Sequence, residues 1–104
     1  MTSSSLEFLL SNGYVTLIDA EDLARISMYH WHARYCKPDR YAARTIYQKV
    51  NGVVKRPAIY LHRFLLGAPA GMQVDHLNGD CLDNRKANLE LVTPDENLAR
   101  RRYH

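Results

Sequence analysis

The run QVDHLNGDCLDNRKANLELVTPDEN, residues 73–97, decides how the last third of this chain is read. It opens on QVDH, crosses a loop crowded with Asn and Asp, and returns through LELV. Both flanks read as short strands. In TPDENLARRRYH, Thr93 is placed as an N-cap, Pro94 at the first helical position and Glu96 to complete a capping box, so the chain is predicted to end in a helix. The order is therefore strand, loop, strand, helix. Asp75 and His76 close the first strand, and Asn97 sits in the first or second helical turn. Neighbouring strand residues face opposite sides, so Asp75 and His76 meet one site only if the strand breaks at His76. Leu77-Asn78-Gly79 is read as that break.

Upstream, LEFLL and YVTLI read as strands joined at Asn12-Gly13, a dipeptide suited to a tight hairpin. DAEDLARIS is predicted to be a short helix with Asp19 as N-cap. WHARY, RYAARTIYQKV and VKRPAIYL carry the β-branched and aromatic residues of strands, the last two turning at Asn51-Gly52, and predict a small antiparallel sheet. In that sheet Tyr41, Ala43, Thr45 and Tyr47 are assigned to one face, and Arg40, Ala42, Arg44 and Ile46 to the other, which is expected to meet phosphate. LHRFLLGAP reads as one or two helical turns ended by Gly67 and Pro69.

At 104 residues, 46% hydrophobic and 24% charged, the chain fits one α+β domain: residues 14–59 as a basic antiparallel sheet region and 60–104 as the terminal unit. No apolar run is long enough to span a membrane and the start lacks the basic segment of a secretory signal, so a cytoplasmic protein is expected. Cys36 and Cys81, without a Cys-x-x-Cys pair, argue against structural zinc and against a disulfide framework. The net charge is +3, but residues 31–63 hold eight cations against Asp39 alone, a local excess of seven. Interleaved with tyrosines, that field suits the sequence-independent attraction of a polyanion, with Arg34, Arg44 and Lys55 among the contacts.

An Asp carboxylate and an Asn amide oxygen are hard donors, and two such ligands suffice to hold Mg²⁺ beside a phosphate. Asp75 and Asn97 are the candidates, with Mn²⁺ as the substitute that accepts the same ligands. A neutral His76 next to that ion could take a proton from water and direct hydroxide at phosphorus. Asn88 is expected to bond the backbone or the other nitrogen of His76 and so fix the ring. Arg63 and Arg85 flank the site and are candidates to hold the scissile phosphate. Asn78, Asp80, Asp83 and Asn84 are read as shaping the loop, with Asp80 the exception that could reach metal. His62 is read as structural, and His30, His32 and His104 as without chemical role. Arg100, Arg101 and Arg102 suit the negative end of the terminal helix.

The motif VDHLNGDCLDNRKANLELVTPDEN, with the preceding LHRFLLGAP, resembles the HNH endonucleases over residues 60–97. The likeness is to the variant common in phage and intron-encoded homing enzymes, in which asparagine replaces the last histidine. It implies a ββα-metal finger, with His76 as general base, Asn88 as orienting residue, and Asp75 and Asn97 as metal ligands. The implied activity is metal-dependent hydrolysis of double-stranded DNA, one strand nicked per site, by a monomer or weak homodimer. Two departures from the family stand out. The four cysteines with which many relatives bind zinc are missing, so packing must support the finger. The chain also ends seven residues after Asn97, so the expectation is either that the basic sheet does all the DNA binding or that the enzyme is minimal and weakly specific. The alternatives are a non-catalytic DNA-binding module on the same scaffold and an accessory protein whose finger contacts another protein.

Overall fold

The computed structural model describes residues 4–101; His104 and Arg102 lie outside the described residues. The architecture is α+β, with several small antiparallel sheets and few helices. Strands β1 (Ser5–Leu9) and β2 (Val15–Asp19) form a hairpin in the register Ser5↔Asp19 to Leu9↔Val15. Gly13 takes the positive φ of 92° that the turn requires. Its neighbour Asn12 does more than turn the chain. The Asn12 amide donates to Ala33 O and its oxygen accepts from Ala33 N, both at 2.8 Å, so one side chain pairs with a strand residue as a peptide would.

The predicted helix over DAEDLARIS is only a 3-10 turn, Ala20–Asp22, followed by α1 (Leu23–Ile26). Asp19 does not cap it. Its carboxylate instead accepts the backbone N–H of Lys86 at 3.0 Å, a partner remote in sequence that outcompetes the local cap. The chain then reaches Trp31, fully buried, whose indole N–H donates to Ile26 O at 2.7 Å. Leu10, Ile18, Ile26, Ala33, Ala42, Leu61, Leu65 and Leu89 pack with it into one core that draws on both sides of residue 60.

The sheet predicted over residues 14–59 is divided. Strands β3 (His32–Cys36) and β4 (Asp39–Thr45) pair as an antiparallel unit. Strands β5 (Gln48–Val50) and β6 (Val53–Lys55) form a separate two-stranded ribbon. Asn51 (φ 50°) and Gly52 (φ 78°) give it the two positive φ angles of a tight hairpin turn. After the ribbon, β7 (Ala58–Tyr60) returns to pair with β4. The break falls at Arg56-Pro57, because proline has no N–H to give a ladder and restricts the residue before it.

The arginine face of β4 is not turned to solvent. Ala42, at its centre, lies in the core. Arg40 lies 4.8 Å from the Tyr14 ring centroid and 5.1 Å from that of Tyr35, and Arg44 lies 3.8 Å from that of Tyr29. Weakly hydrated guanidinium planes stack on aromatic faces, and both arginines are half-buried against these rings. It is the opposite face, with Tyr41, that looks toward the terminal unit.

Helix α2 (Leu61–Leu66) ends as expected at Gly67 in the left-handed conformation, and the N–H of Ala68 reaches back to Arg63 O at 3.0 Å. Strands β8 (Gln73–His76) and β9 (Leu89–Val92) pair antiparallel, followed by α3 (Pro94–Arg101). Thr93 Oγ1 accepts the Glu96 N–H at 3.1 Å, the threonine half of the predicted capping box. Asn12→Ala removes both bonds to Ala33 and is expected to cost about 1–3 kcal/mol. A urea denaturation with a lowered midpoint and unchanged slope would show it, and an unmoved midpoint would contradict the bridging role.

Candidate active site

The loop between β8 and β9 is built from its own polar side chains. Asn78 Oδ1 accepts Asp80 N–H, Asp80 Oδ1 accepts Leu82 N–H, and Asp83 Oδ1 accepts Arg85 N–H. Such side chains mimic backbone turns and let a polar segment fold compactly. The buried Asn88 ties the ends together. Its Oδ1 accepts Asn78 N–H, its Nδ2 donates to Asn78 Oδ1 and Asp83 O, and its carbonyl accepts Leu77 N–H, all at 2.9 Å. Of the two roles expected for Asn88, the structure shows the backbone one.

This loop docks on β2. Leu17 N–H donates to Leu82 O at 2.9 Å, Asn84 N–H donates to Leu17 O at 2.8 Å, and Leu17 and Asp83 form a parallel bridge. Behind the backbone pair runs a buried side-chain relay. Thr16 Oγ1–H donates to Leu82 O at 2.6 Å, Asn84 Nδ2 donates to Thr16 Oγ1 at 2.8 Å, and Asn84 Oδ1 lies 2.9 Å from His76 Nε2. The direction of the relay follows from its far end. A carbonyl only accepts, so the Thr16 proton is spent there and its oxygen must accept from Asn84. Asn84 therefore turns its oxygen to His76, which must carry its proton on Nε2. Nδ1 is left as the basic nitrogen.

Asn84 and Thr16 were not singled out from the sequence for any part in the site. Asn84 shapes the loop as expected, and in addition it holds the imidazole. One signal was present: Thr16 alternates with Ile18 on the inward side of β2, and a buried hydroxyl has to find a partner.

The β8 ladder covers QVDH as predicted, through the pair His76↔Leu89, and the break falls at Leu77, after His76 rather than at it. Asp75 and His76 thus keep opposite faces of the strand. The Asp75 carboxylate accepts from Arg100 Nη1 of α3 at 2.9 Å, and Arg100 also reaches Glu90 at 3.2 Å. Glu90 first, then Asp75, raise the pKa of Arg100 and keep it charged. Asn97, one helical turn earlier, donates Nδ2 to Gln73 Oε1, which leaves its amide oxygen without a partner among the described residues. Asp75 and Asn97 therefore occupy the facing surfaces of β8 and α3. No hydrogen bond joins Asp75, His76 and Asn97 to one another among the described residues.

Asn97 lines a cleft of about 350 Å³ with Cys36, Tyr41, Tyr60, His62, Arg63, Gln73 and Val74. The His76 ring lies against two of these, 5.0 Å from the His62 ring and 6.0 Å from that of Tyr41. The oxygens of Asp75 and Asn97 are hard donors of the kind that suits a divalent cation, but the Asp75 carboxylate is held by Arg100, which an ion would have to displace. In the other acidic group, Asp19, Glu21 and Asp22, two cations answer three carboxylates: Lys86 Nζ lies 3.3 Å from Glu21 and 3.2 Å from Asp22, and Arg25 pairs with Asp22 at 2.8 Å.

The expected phosphate arginines are engaged within the chain. Arg63 donates to Met72 O at 2.6 Å and Pro69 O at 3.1 Å, fastening the turn after α2. Arg85 grips both Asp83 oxygens at 2.8 and 2.6 Å, and that pairing is the first cause holding the Asp83 carboxyl below its ordinary range. Arg34 and Lys55 are exposed.

His62 is buried, stacked on Tyr60 at 5.5 Å, and its Nδ1 has no hydrogen-bond partner among the described residues. Burial first, then the charges of His76 and Arg63, push its pKa down to about 3, so the ring is neutral beside His76. Between the ordinary 6.5 and about 3, the unfolded chain binds a proton here that the folded chain refuses. The stability this ring contributes is complete above that window and is lost as pH falls through it. His62→Phe keeps a ring but not the proton, so its melting temperature should fall less than that of the natural chain between about pH 7.5 and about pH 4.5. Equal falls would contradict the assignment.

Residues 66–99, about a third of the chain, match the model of the HNH endonuclease family. No curated protein and no solved structure matches the chain. The loop that carries Asn84 and Asn88, with His76 before it and Asn97 after it, thus lies wholly inside the segment that matches that family's model.

Proposed function

We propose that the chain is a metal-dependent DNA endonuclease of the HNH type, nicking one strand of a duplex per active site and acting as a monomer. The observation that carries this reading is the His76 imidazole. It is buried, it is fixed with its proton on Nε2 by Asn84, and it lies in the segment that matches the family. That tautomer leaves Nδ1 to take a proton from water, the step that makes hydroxide for attack on phosphorus. His62, neutral and packed edge-on against His76, adds no positive charge that would oppose protonation of the base.

In this reading β8, β9 and α3 make up a ββα-metal finger. Asp75 and Asn97 would hold Mg²⁺, or Mn²⁺ in its place. Because Asp75 and His76 stand on opposite faces of β8, ion and base would meet at one phosphate only if Asp75 left Arg100 and the strand end at His76 rearranged. A divalent ion there supplies charge neutralisation for the departing oxygen. Asn88 keeps the loop closed behind the base, and the β2 docking stands where relatives with four cysteines use zinc. Arg63 and Arg85 act on phosphate only by giving up their bonds within the chain, so exposed cations such as Arg34 and Lys55 are the better first contacts. The pairing of Asp75 with Arg100 favours one rival, a DNA-binding module on the same scaffold that does not cut.

Supercoiled plasmid, incubated with and without Mg²⁺, separates the two. Open-circular product is expected only with metal. His76→Ala should lower the rate by about 10²- to 10⁴-fold while keeping DNA affinity, and Asn84→Ala by about 10- to 100-fold. Undiminished cutting by His76→Ala would remove His76 as the base, and binding without metal-dependent cutting would support the rival.

A further inference from the structure

The ribbon of β5 and β6 takes no part in the site described above. All six of its strand residues are exposed, so neither of its faces is packed. An uncovered two-stranded hairpin is marginal in water, and three of its side chains are large and apolar, Val50 (51% exposed), Val53 (55%) and Val54 (45%), with Tyr47 (65%) just before it. Residues 46–57 also carry Lys49, Lys55 and Arg56 and no acid. Surface of this kind fits a partner that is negative at its rim and accepts apolar contact at its floor.

The register says where each group stands. Val50 pairs with Val53 across the Asn51-Gly52 turn, so the apolar pair is at the tip. Lys49 pairs with Val54 and Gln48 with Lys55, which places the lysines behind the tip and on opposite faces of the ribbon. Three residues per strand extend about 10 Å at about 3.4 Å each. The major groove of B-DNA is about 12 Å wide and about 8.5 Å deep, admits a two-stranded ribbon, has phosphates along both walls and presents thymine methyls on its floor. The minor groove, about 6 Å wide, is too narrow for two strands with their side chains. A second copy of this chain is disfavoured as the occupant, because ribbon-to-ribbon pairing would set cations against cations with no acid between them.

We propose that the β5–β6 ribbon enters the major groove of duplex DNA, with Val50 and Val53 on the base edges and Lys49 and Lys55 on the two phosphate walls. The proposal rests on the reading of the chain as a protein that acts on DNA, but not on its being able to cut. It gives the chain a contact with DNA apart from the β8–α3 unit.

The test is fluorescence anisotropy of the full chain with a labelled duplex of about 30 base pairs and with the matching single strand, over a salt series. Far-UV circular dichroism checks the fold of each variant. Lys49→Glu with Lys55→Glu is expected to weaken duplex binding at least tenfold and to reduce the salt slope by about two, at roughly 0.9 per phosphate contact. Val50→Ser with Val53→Ser should reduce the preference for duplex over single strand and leave the salt slope unchanged. Duplex affinity that survives the lysine changes would overturn the proposal. So would equal losses on duplex and single strand, or sedimentation showing a homodimer that the valine changes dissolve. Ribbon-dependent binding by a natural chain that never nicks plasmid would end the nuclease reading and leave this one standing. Metal-dependent nicking with ribbon-independent binding would do the reverse.

Discussion

The structure depends on the docking of one polar loop against one strand. Residues 82–84 lie beside Leu17 as a short parallel bridge, and Thr16 and Asn84 join hands behind it. Without that contact the segment between β8 and β9 would be a long turn held only by its own Asn and Asp side chains. With it, the loop acquires a rigid wall, the β1–β2 hairpin becomes the support of the terminal unit, and the imidazole of His76 is aimed from behind. Asp19 adds a third tie through Lys86 N–H. Four zinc-binding cysteines would do similar work by metal coordination; here backbone pairing and a buried hydroxyl do it.

The second constraint is the aromatic and imidazole packing above the loop. Tyr41 of β4, His62 of α2 and His76 of β8 bring three elements to one place. Tyr60 stacks on His62 and meets the Tyr41 ring as well. A protonated His62 would put a positive charge against His76 and lose most of its hydration, so the packing keeps it neutral. Geometry and electrostatics thus agree: His76 is held in one tautomer by Asn84 and given an uncharged neighbour by the fold.

What was legible in the sequence was what is decided locally. The Thr93 cap of α3, the positive φ angles at Asn51-Gly52 and the end of α2 at Gly67 each depend on residues within a few positions of one another. The order of elements around His76 followed from them. Partners supplied by distant residues were not legible. In the sequence Asp19 reads as a helix cap because its true partner, Lys86, is 67 residues away, and Thr16 and Asn84 stand 68 residues apart. Arg44, Arg63 and Arg85 were read as free cations because a sequence shows charge but not the ring, the carbonyls and the carboxylate that absorb it. The exposed ribbon was merged into a larger sheet, although Pro57 was visible as the residue that divides them.

The central claim is that the chain itself fixes the proton on Nε2 of His76 and leaves Nδ1 basic. Long-range proton–nitrogen NMR of the imidazole, recorded on the metal-free protein above the ordinary histidine pKa, reports the tautomer of that ring directly. The account predicts a single Nε2–H tautomer in the natural chain, shifting toward a mixture in Asn84→Ala. A ring protonated on Nδ1, or a mixture already present in the natural chain, would contradict it.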